Sequence, residues 1–418
     1  MIKAITGTKD ILPSDVTKWH HLEGLVRKVF NNYNYVEIRT PVFEQTSLFA
    51  RGIGEETDIV SKEMYTMIDR GGTSITLKPE MTAGVVRAFI EHSLGEKTSL
   101  NKLYYISPMF RQERPQAGRL RQFHQFGAEA LGSSSPFLDA EMIEMAYLIL
   151  KHLGLKDLIV KINSLGTPES REVYKNELRK FLSDKKDKLT DDSQNRLEKN
   201  ILRILDSKAE QDQEVLLNAP SLFDYLDQSS INDFNAVKNY LNSINIPYEE
   251  DTKLVRGLDY YTKTTFEIIS NKVGSQSSLC GGGRYDLLVE ELGGKPTPGV
   301  GFAAGMERIL LACENENSLN LPERQIDVFI VRLEKELQYK VAELASELRR
   351  NELIVDYDYL DRSVKAQMRE ANRLNSRFVL FIGGEEFNRG EIVLKNLSDG
   401  TQENLKLNDL NEIIKRVK

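Results

Sequence analysis

The sequence predicts an α+β chain: a main domain built on an antiparallel sheet and interrupted by a small helical insertion, then a C-terminal α/β domain. Three observations predict this arrangement. Helix-like and strand-like segments alternate through the first third, a Lys-, Glu-, Asp- and Asn-rich stretch with helical apolar stripes follows Thr167-Pro168, and strand–helix alternation begins after Arg324. We place the main domain at residues 1–167 and 231–322, the insertion at 168–230 and the C-terminal domain at 326–418.

At 418 residues, 40% hydrophobic and 28% charged, the chain has the composition of a globular protein with two or three domains. It contains no apolar run long enough to cross a bilayer and no signal-peptide pattern at its start, so we expect a cytoplasmic protein with no membrane partner. Neither the two cysteines nor the five histidines show metal-ligand spacing, so we expect no metal site. The net charge of -7 argues against indiscriminate nucleic-acid binding but is compatible with local basic patches.

Apolar periodicity predicts the individual elements. In the main domain they are a helix around Lys18 to Asn31, a strand at Val36 to Arg39, a strand pair around Glu63 to Ile68 and Ser74 to Lys78, a helix from about Thr82 and strand-forming sequence from Leu254 to Ile269. After a charged linker, Glu314 to Arg324, the C-terminal domain has strands at Asp327 to Val331, Leu353 to Tyr357 and Phe378 to Ile382 separated by helices, then an antiparallel strand at Glu391 to Lys395 and a helix at Leu410 to Val417.

The most informative segment runs from Phe110 to Glu129. Strand-like runs at Leu103 to Arg111 and Arg121 to Ala130 flank a stretch in which Pro115 and Gly118 supply turn chemistry, which predicts a long hairpin. Residues 111 to 121 hold four arginines against one acid, for a local net charge of +3. The alternative is a surface hairpin whose charges are merely solvated.

Strand alternation sorts the side chains of this hairpin. One face of the second strand carries Arg121, Phe123, Gln125, Gly127 and Glu129, and one face of the first carries Leu103, Tyr105, Ser107, Met109 and Arg111. A cation, an amide and a carboxylate therefore converge on one patch. The planar fork of arginine suits phosphate oxygens, whereas a carboxylate fixed on a sheet suits an amine or an imidazole N–H.

Two further segments carry polar groups beside predicted strand ends. Pro79 ends a strand just before a helix, so Glu80 and Thr82 lie at a helix N-terminus, where Glu80 could hold an ammonium group; the alternative is a plain cap supplied by Thr82. Arg256 precedes a strand-like run that begins with Tyr260 and Tyr261, an arrangement suited to an anionic transition state, although tyrosines in strands more often only pack.

Two familiar nucleotide-binding motifs are absent from the sequence. There is no GxxxxGK[ST] loop, and the glycine run Gly299 to Gly305 has the wrong spacing for a dinucleotide fingerprint. A glycine triplet, Gly281 to Gly283, allows close backbone approach but is a weak signal. The glycine run is followed by a predicted helix with Arg308 on its first turn. An ATP site in this chain must therefore use arginines on an antiparallel sheet.

A second group of basic residues lies in the C-terminal domain. Its members, Arg362, Lys365, Arg369, Arg373 and Arg377, are three or four residues apart and are predicted to share one face of a helix. Such a stripe could follow a phosphate backbone. The alternative, equally consistent with the spacing, is a solvated helix face.

These motifs together resemble those of a known family. Phe110-Arg111-Gln112-Glu113 resembles motif 2 of the class II aminoacyl-tRNA synthetases, Gly301 to Arg308 resembles motif 3, and the segment ending at Pro41 is similar to motif 1. Arg256 to Tyr261 and Cys280 to Asp286 resemble the two signatures of histidyl-tRNA synthetases. The resemblance covers essentially the whole chain and implies a class II catalytic domain with a helical insertion and a C-terminal α/β anticodon-binding domain.

The resemblance also implies roles for individual residues. Arg111 and Arg256 would be catalytic at the α-phosphate of ATP, with Arg119 and Arg308 on the outer phosphates. Histidine would be bound by Glu80, Thr82, Gln125, Glu129, Arg256, Tyr260 and Tyr261, and tRNA by Gln116, Arg121, Arg362, Lys365, Arg369 and Arg373. One departure is visible: Lys78 stands where the family commonly has arginine, and lysine lacks the bidentate fork.

The implied activity is formation of histidyl-adenylate from L-histidine and ATP with Mg²⁺, followed by transfer to the 3′ end of tRNA(His). No tightly bound cofactor is expected, and a homodimer is implied because motif 1 forms the dimer interface in this class. The alternative is the related regulatory subunit of ATP phosphoribosyltransferase in histidine biosynthesis. That paralogue generally lacks the anticodon-binding domain and has degenerate arginine signatures, whereas this chain retains both.

Overall fold

The computed structural model describes residues 2–54, 57–116, 118–271, 277–319, 321 and 323–418. Ala117 of the predicted hairpin and Asn320 and Pro322 of the predicted linker lie outside the described residues. The chain divides into two compact units, Met1–Asn320 and Leu321–Lys418. No helix in the described ranges combines the length and the apolar character needed to cross a membrane.

The first unit contains both strands and helices. Its strands are β1 (Val36–Glu37), β2 (Phe43–Gln45), β3 (Tyr65–Ile68), β4 (Ser74–Leu77), β5 (Asn101–Phe110), β6 (Gln122–Leu131), β7 (Ile159–Ser164), β8 (Glu249–Glu250), β9 (Thr262–Ile269), β10 (Ser278–Arg284) and β11 (Gly299–Gly305). Its helices are α1 (Pro13–Asn32), α2 (Thr46–Ile53), α3 (Thr82–Glu91), α4 (Leu94–Lys97), α5 (Pro136–His152), α6 (Pro168–Ser183), α7 (Asp191–Lys199), α8 (Glu210–Leu216), α9 (Gln228–Ser243), α10 (Leu288–Glu291) and α11 (Met306–Glu316).

A large sheet organises this unit. Among the described residues its strand order is β1-β5-β6-β11-β10-β9-β7-β8; the six central strands are antiparallel, and β1 and β8 pair in parallel at the edges. The predicted hairpin is confirmed as β5 and β6, with Leu103 opposite Glu129 and Ser107 opposite Gln125. A smaller sheet, β2-β4-β3, confirms the predicted antiparallel strand pair.

The two faces of the large sheet bury different residues, as the strand alternation predicts. Tyr104 and Phe126 pack in one core with helices α1, α5, α9 and α11. Leu103, Tyr105 and Met109 face the other way, into a core shared with α3 and the helical segment. The candidate polar residues of β5 and β6 therefore lie on the face that carries α3.

The helical segment after β7 begins as predicted. Thr167 caps α6, where its side chain accepts a hydrogen bond from the Ser170 N–H, and Pro168 occupies the first turn, where it costs no hydrogen bond. Short helices follow it, and α9 begins at Gln228, just before the predicted end of the insertion. Phe234 of α9 packs in the core beneath the large sheet.

Two predicted elements have different bounds in the structure. The segment from Leu254 to Tyr261 is not a strand; β9 begins only at Thr262, because Gly257 and Asp259 lie in a turn that carries the chain across the sheet face. The predicted linker from Glu314 is also wrong at its start, since α11 continues to Glu316 and ends where Asn317 adopts a left-handed conformation with φ 49°.

The second unit is a smaller α/β domain. Its strands are β12 (Ile326–Arg332), β13 (Val355–Tyr357), β14 (Ser376–Ile382), β15 (Glu391–Asn396) and β16 (Gln402–Lys406), and its helices are α12 (Gln338–Arg350), α13 (Val364–Arg373), α14 (Gly384–Asn388) and α15 (Leu410–Val417). The order β13-β12-β14-β15-β16 is parallel among its first three strands and antiparallel beyond, which confirms the predicted partly parallel sheet. Strand β16 was not predicted because Leu405 is its one buried side chain.

A buried ion pair fastens β10 to α5. Arg284 is 1% exposed, and its guanidinium donates to both carboxylate oxygens of Asp139 and to the carbonyl oxygens of Ser133 and Ser135. All three nitrogens of the Arg284 guanidinium therefore donate a hydrogen bond. The pair holds the end of β10, next to the glycine triplet, against α5.

Replacing Arg284 by leucine is expected to destabilise the first unit by about 3–5 kcal/mol, because the buried Asp139 carboxylate would lose its counter-ion. Urea unfolding followed by circular dichroism measures the loss. The double variant Arg284→Leu/Asp139→Leu is the control, since it removes both fully buried charges and leaves only the partly exposed Asp286 without its arginine, so it should recover much of the stability. Equal losses in the single and double variants would contradict this account.

Candidate active site

A cavity of about 180 Å³ opens on the α3 side of the large sheet. Most of the residues predicted to bind histidine or ATP line it: Glu80, Thr82, Arg111, Arg119, Gln125, Arg256, Tyr260, Tyr261 and Arg308. Glu129 lies directly behind this lining, hydrogen-bonded to two of the surrounding side chains. Residues that are up to 228 positions apart in the chain, from Glu80 to Arg308, thus meet at one place.

The N-terminus of α3 forms one wall of the cavity. The Glu80 carboxylate accepts hydrogen bonds from the N–H groups of Thr82, at 2.7 Å, and Ala83, at 2.9 Å. Glu80 is therefore the cap that the sequence alternative assigned to Thr82, and it also lines the cavity. Burial raises the pKa of the Glu80 carboxyl, and the hydrogen bonds from Ala83 and Thr82 oppose that rise.

Glu129 is a buried carboxylate that is 1% exposed. It accepts hydrogen bonds from the hydroxyl of Thr82, at 2.8 Å, and from the hydroxyl of Tyr285. The neighbouring strand must carry glycine at position 301, because a Cβ there would lie 1.8 Å from Glu129 Oε2. Burial raises the pKa of the Glu129 carboxyl to about 8, although both hydroxyl donors lower it.

This pKa makes a prediction for stability. Because burial raises the pKa from 4.5 in the unfolded chain to about 8 in the folded one, the folded chain holds an extra proton between these values. The contribution of Glu129 to stability is therefore full below pH 4.5 and is lost as the pH rises towards 8, by at most about 1.4 kcal/mol per pH unit. Unfolding free energies of Glu129→Gln should decline less steeply than wild type over this range. The exposed Glu385→Gln is the control, and an unchanged slope in Glu129→Gln would contradict the assignment.

Several polar atoms in the cavity wall are buried and have no hydrogen-bond partner among the described residues. They include Gln125 Oε1 and Arg256 Nε. Buried polar groups in native proteins are almost always satisfied, so these atoms mark places where a polar ligand would bind. The rings of Tyr260 and Tyr261, with centroids 4.7 Å apart, close the same part of the cavity.

Arg256 lies across strand β10. Its Nη1 donates to Glu267 Oε1 at 3.0 Å, and a Cβ at position 281 would lie 2.1 Å from its Nη2. Gly281 is thus required for the guanidinium to reach the cavity, which gives the glycine triplet a physical role. The carboxylate of Glu267 orients the fork, and Nε is left free of protein partners within the described chain.

Three more arginines come together at the mouth of the cavity. Arg111 Nε donates to the Pro79 carbonyl at 2.9 Å, and Arg119 Nε lies 3.0 Å from Glu113 Oε2. Arg308 Nε donates to the Gly118 carbonyl at 2.8 Å, which attaches the hairpin loop to α11. Burial and then the nearby Arg119 lower the pKa of Arg308, so this group of cations is suited to an anion.

Three residues singled out from the sequence lie elsewhere. Arg121 precedes β6, and its side chain packs against Gly7 and donates to the Glu113 carbonyl; it does not line the cavity as strand alternation predicted. Gln116 pairs through its backbone with Arg119. Lys78 is 2% exposed, its ammonium donates to the Thr40 carbonyl, and burial lowers its pKa to about 8. Their roles in tRNA binding, or in ligand binding for Lys78, gain no support from the cavity.

The predicted basic stripe of the C-terminal domain is wrong at both ends. Arg362 precedes α13 and Arg377 lies in β14, so only Lys365, Arg369 and Arg373 share the helix. Arg362 pairs with Asp358 and Glu370, Arg373 with Glu370, and Arg377 with Asp327. Neighbouring acids, which the spacing rule ignores, neutralise most of the stripe.

Sequence reasoning missed three functional side chains. Glu113 lies between Arg111 and Arg119, Glu267 binds Arg256, and Tyr285 donates to Glu129. Alternation on β9 would have found Glu267, since it lies opposite Gly281. Across the described ranges, no group of three or more His, Cys, Asp or Glu side chains is arranged to hold a metal ion.

The arrangement has a clear chemical capability. Four arginines, Arg111, Arg119, Arg256 and Arg308, line one cavity, and the buried Glu129 carboxylate lies directly behind its lining. Such a site can bind a polyphosphate beside a small ligand that carries an N–H group. This cavity on a six-stranded antiparallel core within the described residues, with a separate C-terminal α/β unit, is the arrangement expected of a class II aminoacyl-tRNA synthetase.

Comparison with known proteins identifies the family within this class. The family model for histidyl-tRNA synthetase matches residues 7–309, and the model for an anticodon binding domain matches residues 327–417. The chain belongs to the histidyl-tRNA synthetase family, whose members are ATP-dependent aminoacyl-tRNA ligases.

Individual relatives agree with this assignment. The chain is 49% identical to the histidine–tRNA ligase of Thermoanaerobacter sp. over 418 residues, all of both chains. It is 49% identical to that of Caldanaerobacter subterraneus over 416 residues, 99% of this chain and 100% of the relative. The crystal structure of apo S. aureus histidyl-tRNA synthetase superposes with a TM-score of 0.85 at 41% identity, covering 99% of this chain and 100% of the other.

Proposed function

We propose that this protein activates L-histidine with ATP and transfers the product to tRNA(His). A carboxylate oxygen of histidine attacks the α-phosphorus of ATP and pyrophosphate leaves, which yields histidyl-adenylate. A terminal ribose hydroxyl of the tRNA then attacks the acyl carbon and releases AMP. The observation that carries this proposal is the buried Glu129 carboxylate, which lies behind two lining residues of a cavity that four arginines also line.

Each part of the cavity receives a role in this proposal. Glu129 accepts a hydrogen bond from the imidazole ring, with Tyr261 beside it, and the free Gln125 oxygen receives the α-amino group. Glu80 and Thr82 contribute to the same end, where their negative charge and hydroxyl favour an ammonium group. An amino acid without ring nitrogens would offer no N–H group to Glu129, which predicts discrimination of roughly 10⁴-fold without editing.

The arginines stabilise charge rather than perform covalent chemistry. Arg111 and Arg256 neutralise the α-phosphate as negative charge shifts during the in-line displacement, and Arg119 and Arg308 hold the outer phosphates. Mg²⁺ would arrive with ATP as part of the substrate and supply further positive charge to its phosphates. The residues near the arginines that fit such an ion are the carboxylates of Glu113 and Glu267.

Exchange of radioactive pyrophosphate into ATP, run with each of the twenty amino acids, tests the proposal. Exchange should depend on histidine and be at background with the other nineteen. Absence of exchange by folded protein would favour the alternative, the regulatory subunit of ATP phosphoribosyltransferase. That alternative is less well supported, because the arginines all line the cavity and the chain retains a C-terminal unit of the anticodon-binding family.

A homodimer and a cytoplasmic location also belong to this proposal. Support for the dimer comes from large apolar side chains that are solvent-exposed around β1, β2 and β3, near the segment that resembles motif 1. They are Val36, Val42, Phe43, Met67 and Ile68, each between 39% and 67% exposed. Sedimentation velocity tests the dimer, and Phe43→Glu should weaken it if these side chains form the interface.

The remaining basic residues of α13 predict how tRNA binding depends on salt. Lys365 and Arg369 form no ion pair within the described chain, so their double replacement by alanine should weaken tRNA binding and reduce the slope of log Kd against log salt by about 1.5. Arg373→Ala is the control with a smaller effect, because Glu370 already neutralises Arg373. Filter binding at several salt concentrations measures the slope. An unchanged slope would mean that these side chains are only solvated.

A further inference from the structure

Arg256 begins a turn, residues 256–259, that lies outside the strands and leads into β9. Gly257 and Asp259 of this turn are exposed to solvent. A backbone hydrogen bond from the Asp259 N–H to the Ile53 carbonyl, at 3.2 Å, attaches the turn to the end of α2. Because the turn has no strand partner to hold it, the position of Arg256 depends on side chains that reach the turn from other elements.

Two side chains of the helical segment reach this turn. Asn200 Nδ2 donates to both carboxylate oxygens of Asp259, at 3.1 and 3.2 Å. Arg203 Nη1 donates to the main-chain carbonyl of Arg256 at 3.3 Å. Hydrogen bonds from the helical segment therefore hold the turn at both of its ends.

Buried apolar side chains fix the two donors in place. Asn200 precedes the short helical turn Ile201–Ile204, and Arg203 lies within it. Ile201 and Ile204 are buried in the same core as Tyr260, which follows the catalytic turn. The donors and the residues they hold thus share one packed base.

The fit around the turn is close on two sides. A Cβ at Gly257 would lie 3.2 Å from Arg203 Nη1, and a Cβ at Gly54, whose φ is 102°, would lie 2.9 Å from Asp259 Oδ2. Arg203 Nη2 lies 3.6 Å from Asp58 Oδ2, which orients the other arm of its guanidinium. The turn is therefore enclosed by the end of α2 and by the helical segment.

We propose that Asn200 and Arg203 are positioning residues for adenylate formation: they hold the turn that carries Arg256 and so fix where its guanidinium meets the α-phosphate. This inference rests on the proposed function. Glu267 orients the guanidinium from β9, whereas Arg203 fixes the main chain from which that side chain extends. A misplacement of about 1 Å in a catalytic group can cost about 100-fold in rate, so loosening the turn slows the reaction.

The proposal gives the helical segment a part in the first chemical step, before tRNA binds. Histidine-dependent pyrophosphate exchange without tRNA is therefore the test. In Asn200→Ala/Arg203→Ala, kcat for exchange should fall about 10-fold, while the KM for ATP changes less. Arg203→Lys should retain most of the wild-type kcat, because an ammonium group can still donate to the Arg256 carbonyl.

Matched controls come from the same helical segment. Asn195 and Arg179 are exposed there, so Asn195→Ala/Arg179→Ala should exchange pyrophosphate at the wild-type rate. Thermal melting confirms that each variant is folded.

A double-mutant cycle with Arg256 separates positioning from a general structural role. If Asn200 and Arg203 act through Arg256, their replacement in an Arg256→Ala background should cause no further loss of kcat. A general role in folding would instead lower kcat by the same factor in both backgrounds. Equal losses in the two backgrounds, or an unchanged kcat in Asn200→Ala/Arg203→Ala, would overturn the proposal.

Hydrogen–deuterium exchange of the backbone amides of residues 254–261 adds a measurement that needs no turnover. These amides should exchange faster in Asn200→Ala/Arg203→Ala than in the wild type, because the turn opens more often. Equal amide exchange would overturn the proposal. Absence of pyrophosphate exchange by the wild type with every amino acid would reject the proposed function, whereas the amide exchange would still decide whether the two residues hold the turn.

Discussion

Replacing Arg256 by alanine is expected to lower the rate of histidyl-adenylate formation by about 10²–10³-fold, with little change in tRNA affinity. The guanidinium lies on the cavity surface with Glu267 orienting it and Nε free, so its removal takes away positive charge where the displacement develops negative charge. Transfer from the adenylate to tRNA should be affected less. Pyrophosphate exchange and filter binding of tRNA separate the two effects.

Two further variants sharpen this test. Arg256→Lys keeps the charge but loses the planar fork, so most of the rate loss should remain if bidentate geometry matters. Glu267→Gln leaves Arg256 in place and weakens only its orientation, so its effect should be smaller than that of the alanine variant. A variant that lost tRNA affinity rather than adenylate formation would show that Arg256 acts elsewhere in the reaction.

Replacing Glu129 by glutamine is expected to reduce kcat/KM for histidine by about 100-fold, while the KM for ATP stays within a factor of two or three. The amide fills the same space between Thr82 and Tyr285 but can never ionise, whereas an imidazole N–H beside Glu129 lowers the raised pKa of this carboxyl and favours its charged form. Steady-state pyrophosphate exchange with varied histidine gives the effect directly.

Tyr285→Phe is the matched control for this variant. It removes the hydroxyl that donates to Glu129 but leaves the carboxylate, so the loss in kcat/KM should be smaller than in Glu129→Gln. An equal rise in the KM for ATP and for histidine in Glu129→Gln would indicate a general distortion of the cavity. Unchanged kinetics would mean that the carboxylate does not contact the amino acid.

Local patterns predicted the fold of the first unit well where the periodicity was strong. The β5 and β6 hairpin, the helical segment opened by Thr167 and Pro168, and the facing of Gln125 and Glu129 follow from alternation and turn chemistry alone. The segment before β9 was mistaken for a strand because tyrosines favour strands in general, whereas the turn at Gly257 and the burial of Tyr260 in the cavity wall are tertiary effects.

The acidic partners of the arginines could not be predicted from the sequence. The basic stripe was predicted from spacing on one helix. Two residues of that stripe, Arg362 and Arg377, are neutralised by Asp358 and Asp327, which also lie outside the helix. Likewise, Glu267 reaches Arg256 only because β9 and β10 are adjacent in the sheet. Charge pairing across elements depends on which strands become neighbours, and a one-dimensional pattern does not contain that information.

The glycine at position 301 has a consequence for how this site can change during evolution. Alanine there would keep every charged and polar group of the cavity, yet its methyl carbon would occupy the space that Glu129 Oε2 now fills. A substitution at position 301 therefore cannot adjust the site in small steps. Even alanine, the smallest replacement for glycine, would displace the Glu129 carboxylate.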